Sequence, residues 1–151
     1  MNIMENSVNK YEEYKKMYNE LISVVDDNDR GVLLVDLRAF FPSKEKKRYN
    51  KLTEYVLHLT AKAVSISQSH GKETILVYVN LKGSTIRNMS VKYFRYINDI
   101  LAKALPDRLE RCYLCSNSRL VKIFMGMIWD YIDKETREKF TLCKNSEKFE
   151  M

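Results

Sequence analysis

Residues 75–143 read ILVYVNLKGSTIRNMSVKYFRYINDILAKALPDRLERCYLCSNSRLVKIFMGMIWDYIDKETREKFTLC. The stretch from Val77 to Leu142 decides the fold. It opens on ILVYV (75–79), a short apolar run without helical spacing, as expected of a strand buried on both faces. Lys82-Gly83-Ser84 reads as a loop, and Ser90 as the cap of a helix carrying Phe94, Ile97, Leu101 and Ala104 on one face. Pro106 closes that helix, and a strand is expected near Arg111 to Cys115. Asn117 or Ser118 then opens a helix with Leu120, Phe124, Met127, Ile128 and Tyr131. A turn from Asp133 to Glu138 leads to a last strand near Phe140 to Cys143.

Working outward toward the N-terminus, Tyr49, Leu52, Val56, Leu59, Ala63 and Ile66 alternate steps of three and four. They predict a long amphipathic helix ending near His70-Gly71. Before it, Phe41-Pro42-Ser43 breaks the chain, with Ser43 as a candidate cap and a charged run from Lys44 to Arg48. VLLVDL (32–37) is a second strand of the buried type. Tyr11, Tyr14, Tyr18, Leu21 and Val25 predict a helix over 10–25, stopped by the acidic turn from Asp26 to Gly31. Strands alternating with helices imply an α/β fold: a single domain with a mostly parallel mixed sheet and helices packed against it. The expected organisation is a helix and turn over 1–30, the α/β domain over 31–143 and a polar tail over 144–151.

The chain has 151 residues, enough to bury a core without disulfide or metal. Its N-terminus lacks an apolar secretory segment, no run approaches the length of a membrane span, and the cysteines number three. The expectation is a soluble, cytoplasmic protein with reduced thiols. Net charge is +6. Residues 1–71 hold 11 basic and 10 acidic side chains and residues 72–151 hold 15 and 10, so the excess lies in the second half. That bias suits an anionic partner as well as plain solubility.

Catalysis finds little support. G-x-S-x-G, the P-loop and G-x-G-x-x-G are all absent. His58 lies mid-helix and His70 at a helix end, while Asp36, Asp99 and Asp107 are scattered acids without a partner motif. Cys112-Tyr113-Leu114-Cys115 is a C-x-x-C inside a strand, where alternation sends the two thiols to opposite faces. Redox or zinc use of that pair is therefore not expected, and structural thiols are. No cofactor and no metal site is expected. Lys44, Lys46, Lys47, Arg48 and Lys51 form one basic cluster, and Lys82, Arg87, Lys92 and Arg95 another. Neither comes with a nucleic-acid-binding motif, so nucleic acid ranks low as a partner.

Val77-Tyr78-Val79-Asn80-Leu81-Lys82-Gly83 resembles a strand motif v-D-x-x-G, with Asn80 in the acidic position. Leu105-Pro106-Asp107-Arg108-Leu109 resembles Y-P-E-R-L, and Asn117-Ser118-Arg119 stands where N-x-P would follow. The segment Ile128 to Phe140 resembles k-P-f-L-x-x-x-t-x-x-K-I, and Gly31 to Val35 an opening G-r-P-v strand. In order and spacing these resemble the CRAL-TRIO family of lipid-binding domains over about residues 31–143. The resemblance implies an apolar pocket floored by a mixed sheet and gated by a helix, holding or exchanging one lipid, a phosphoinositide among the candidates, without covalent chemistry. It implies Asp107 and Lys139 at the lipid headgroup. Phe124, Met127 and Ile128 would supply apolar surface on the gate helix, with plain core packing as the alternative. Lys134 and Arg137 would dock on an anionic membrane. Leu105 and Arg119 replace a Tyr and a Pro of the family pattern. A scaffold of the same fold that binds a protein partner, or a second copy of itself, is the alternative reading.

Overall fold

The apolar runs at 31–36 and 75–80 lie side by side in a sheet, as continuous apolar strands require. The computed structural model describes residues 3–45, 49–115 and 118–143. The helices are α1 (Ile3–Tyr18), α2 (Pro42–Glu45), α3 (Tyr49–Ser69), α4 (Val91–Ala104), α5 (Ser118–Ile128) and α6 (Lys134–Arg137). The strands are β1 (Ile22–Asp26), β2 (Gly31–Asp36), β3 (Ile75–Asn80), β4 (Leu109–Cys115) and β5 (Phe140–Cys143). Short 3-10 turns occupy Leu37–Ala39, Ile86–Asn88 and Trp129–Tyr131. The described strands form one sheet in the order β1-β2-β3-β4-β5. β1 pairs antiparallel with β2, and every later pair is parallel. The expected α/β architecture with a mostly parallel mixed sheet is thus the observed one.

The largest departure from the sequence reading lies in the first helix; in addition, the expected turn from Asp133 to Glu138 contains α6, and the helix from Ser118 ends at Ile128. The expected helix over 10–25 ends at Tyr18, and Ile22–Asp26 is an edge strand. Leu21 and Val25 match a helical stripe only by accident of spacing. The β-branched residues Ile22, Val24 and Val25 favour an extended chain, and a partner strand is within reach of a tight turn. That turn is built by the acids: Asp26 Oδ1 accepts from Asn28 N and Asp27 Oδ1 from Asp29 N and Arg30 N, each at 2.9 Å. Asn28 takes a positive φ of 69°, which asparagine tolerates. The sheet therefore begins before residue 31.

Alternation splits the sheet into two faces. Val24, Leu33, Val77, Cys112 and Phe140 form one cross-strand row, and Ile22, Val35, Val79, Leu114 and Leu142 the next row of the same face. α3 packs on this face over β1 and β2. The approach is closest at Gly31, where the backbone of Ala63 occupies the space a side chain would need. Gly31 N also donates to the buried Ser67 Oγ at 2.8 Å. On the other face Tyr78 and Tyr113 stack with ring centres 4.6 Å apart. The two thiols of the C-x-x-C lie on opposite faces, as alternation requires: Cys112 is in the first row, and Cys115 is three residues on.

α1 lies against α3 through aromatic contacts. Tyr11 stacks on His58 at 3.8 Å, with the planes 7° apart. Burial and the neighbouring Lys62 hold the His58 imidazole below its ordinary value of 6.5. A group whose folded value is depressed favours the neutral form, so its contribution to stability is present above about pH 6.5 and lost as the pH falls through the lowered value. Thermal melts should therefore show stability declining below pH 6.5. His58→Gln should flatten that slope; an unchanged slope would show that His58 is not its source.

Candidate functional site

Between the first face of the sheet and α4 lies a cavity of about 430 Å³. That is within the ordinary range for small-molecule sites, roughly 300–1,000 Å³. Leu33, Val35, Val77, Val79 and Cys112 form its floor. α3 supplies one wall with Leu52, Val56 and Thr60. α4 forms the roof with Tyr93, Phe94, Ile97, Asn98, Leu101 and Ala102. α4 reaches this position because Ser90 caps it, its side chain accepting from Tyr93 N at 3.0 Å, and because Leu105 closes its last turn back onto Leu101 O at 2.8 Å. The loop before α4 is anchored as well. Asn80 Oδ1 accepts from Lys82 N at 3.1 Å, and Gly83 adopts φ 79°. That explains the polar residue and the glycine three positions apart in sequence.

Most polar groups on the wall already have partners. The Thr60 hydroxyl donates to Val56 O at 2.7 Å, and the Tyr93 hydroxyl lies 3.2 Å from Thr53 Oγ1. Burial pushes the Tyr93 phenol up to about 12, so it stays neutral. A lining of this kind offers apolar contact in its interior and no charge there.

The charged groups gather at one end. Asp107, Arg108, Asp133 and Lys139, with the hydroxyl of Thr136, line the cavity where β4 and β5 begin. Asp107 sits just beyond α4 at φ 58°, so the backbone turns sharply there. Arg108 pairs with Glu73, and its carbonyl accepts from Ile75 N at 2.8 Å. Asp133 caps α6: hydrogen bonds from Thr136, then the charges of Lys139 and Arg137, hold its carboxyl below the usual range. The mouth thus presents two acids and two bases around a hydroxyl.

The residues expected at a headgroup, Asp107 and Lys139, are brought together at this mouth although 32 positions separate them in sequence. Phe124 also lines the cavity. Met127 and Ile128 are not among the lining residues: Ile128 is 1% exposed within the core, and Met127 packs against that core. The helix over the cavity is α4, not the one expected from 118 onward, of which Phe124 alone reaches the cavity. Lys134 is exposed on α6. Arg137 holds the turn beneath it, its Nε donating to Trp129 O and Ile132 O at 3.1 and 3.0 Å, with the guanidinium 5.0 Å from the Trp129 ring. Asn117 lies outside the described residues. Sequence reasoning missed the roof, since Phe94, Ile97 and Leu101 form an ordinary core stripe. Asn98 on that same inner surface is the signal that could have marked it.

A family model described as CRAL/TRIO domain matches residues 15–151. The chain belongs to the CRAL/TRIO domain family. Its fold is similar to the crystal structure of Sfh5, with a TM-score of 0.71 at 20% identity, covering 89% of this chain. This CRAL/TRIO chain spans 50% of the length of that structure. No curated protein matches it. The family match supports a lipid-binding or lipid-transfer module, and the fold match supports the architecture alone. Among the described residues, no helix is long and apolar enough to cross a membrane.

Proposed function

We propose that this CRAL/TRIO chain holds a single lipid, its apolar chain between the sheet and α4 and its polar end at Lys139, Thr136 and Asp107. The observation that carries this reading is the cavity itself: an apolar interior with charged residues at one end only. A scaffold that merely displayed its surface to a protein partner would gain nothing from that space, and unfilled volume costs packing energy. The cavity lies in the lower part of the ordinary range, which favours a ligand with one buried chain. A phosphate headgroup, a phosphoinositide included, would pair with the Lys139 ammonium at the mouth. Lys134 and the second-half positive charge would draw the protein to anionic membrane during exchange.

Native mass spectrometry and lipid extraction of the purified chain test the proposal. A bound lipid, or uptake from liposomes, is expected; neither co-purified lipid nor uptake would overturn it. Lys139→Ala should lower the preference for an anionic over a neutral lipid about tenfold or more, since a hydrogen bond to a charged group contributes roughly 1.5–3 kcal/mol. Retention of neutral lipid should stay close to that of the parent. Equal loss of both lipids would place the effect on the fold and remove Lys139 from the headgroup.

A further inference from the structure

We propose that Cys115 and Cys143 are a reversible disulfide site that latches the edge strand β5 onto β4. They close the two strands as direct register partners, each the last residue of its strand. Neighbouring strands lie about 4.7–4.9 Å apart, within the roughly 4.4–6.8 Å that a disulfide requires between Cα atoms. The Cys143 side chain lies near enough to Cys115 to raise its thiol. Cys112, the other member of the C-x-x-C, faces the cavity and cannot substitute.

The two thiols differ in a way that sets their roles. Cys115 is 1% exposed, and burial followed by the contact with Cys143 pushes its thiol up to about 12. Cys143 is half-buried on an edge strand, so an oxidant in solution meets it first. With a small-molecule disulfide such as glutathione disulfide, the Cys143 thiolate attacks one sulfur, the S–S bond breaks and one glutathione leaves as thiol. Cys115 then gives up its proton and attacks the Cys143 sulfur, expelling the second glutathione. Two protein thiols are oxidised by two electrons, and the small disulfide is reduced to two thiols.

The link would close a loop holding α5, the Trp129–Tyr131 turn and α6, the part of the chain that brings Phe124, Thr136, Lys139 and Phe140 to the cavity. Among the described residues, β5 is a four-residue strand paired with β4 alone, and the bond would pin it. The site does not depend on what the cavity binds.

The test incubates the full chain with glutathione disulfide and reads intact mass without reductant. A loss of two hydrogens, with a cross-link between the peptides holding Cys115 and Cys143, is expected. Cys112→Ala should keep the link; Cys115→Ala and Cys143→Ala should each abolish it. Wild-type protein should melt about 5–10 °C higher in the oxidised form and return on reduction, a comparison that needs no variant to fold. Amide exchange over 118–143 should slow on oxidation. A stable glutathione adduct on Cys143 without closure, or a link that survives Cys115→Ala, would overturn the site. A link that leaves amide exchange unchanged would overturn the latch.

Discussion

Gly31→Ala is expected to destabilise the protein by about 3 kcal/mol or more and to lower its urea midpoint by roughly 1.5 M. The carbonyl of Ala63 stands where the new methyl carbon must go, and the Ala63 carbonyl carbon would be 2.6 Å away. The obstacle is helix backbone, so no rotamer change relieves it. α3 would have to move off β2, and with it the wall formed by Leu52, Val56 and Thr60. The shift would also strain the Gly31 N to Ser67 Oγ hydrogen bond, which is buried at both ends. Ser67→Ala is the control: it removes that acceptor without adding bulk and should cost about 1–3 kcal/mol. Equal stability of Gly31→Ala and the parent would mean that α3 does not press on β2 as described.

Val77→Phe is expected to reduce lipid binding about a hundredfold while leaving thermal stability equal or higher. Val77 sits mid-floor, between Leu33 and Cys112 in its cross-strand row. Val77 lines the cavity, so a phenyl ring there would extend into it. Excluding about four methylenes of ligand, at ~0.8 kcal/mol each, costs about 3 kcal/mol of binding, or two decades in affinity. The opposite signs matter: a generic core defect would lower stability and binding together. Full binding by a stable Val77→Phe would move the ligand out of this cavity.

Most of the fold could be read from residue 31 onward because each element there carries a signal of its own. VLLVDL and ILVYV are too short and too continuously apolar for surface helices, and Ser90 and Pro106 mark both ends of α4. β1 escaped because Tyr14, Tyr18, Leu21 and Val25 keep helical spacing across a real helix end. Periodicity registers which side of a segment is apolar, and a strand of five residues offers few positions to contradict it. The same limit governs the site. The apolar stripe of α5 shows that Phe124, Met127 and Ile128 face inward, but not which of them meets empty space. Asp107 and Lys139 are expected at a headgroup only through the order of short motifs that carries the family resemblance. Their meeting at the mouth required the crossover that lays β5 beside β4.

Strand order and chain order coincide throughout this sheet. No strand has to be inserted between two neighbours already in place, and each parallel pairing closes only one crossover. The entropy of closing such a loop grows slowly with its length, and pairing distant segments is what slows the folding of sheets. The β1–β2 hairpin can form on its own short timescale, and each later strand then adds at a growing edge, in the direction in which a ribosome releases the chain. Phe124, Thr136, Lys139 and Phe140 arrive with the final addition. On this order the floor, wall and roof of the cavity would be in place before its mouth, which β5 would complete.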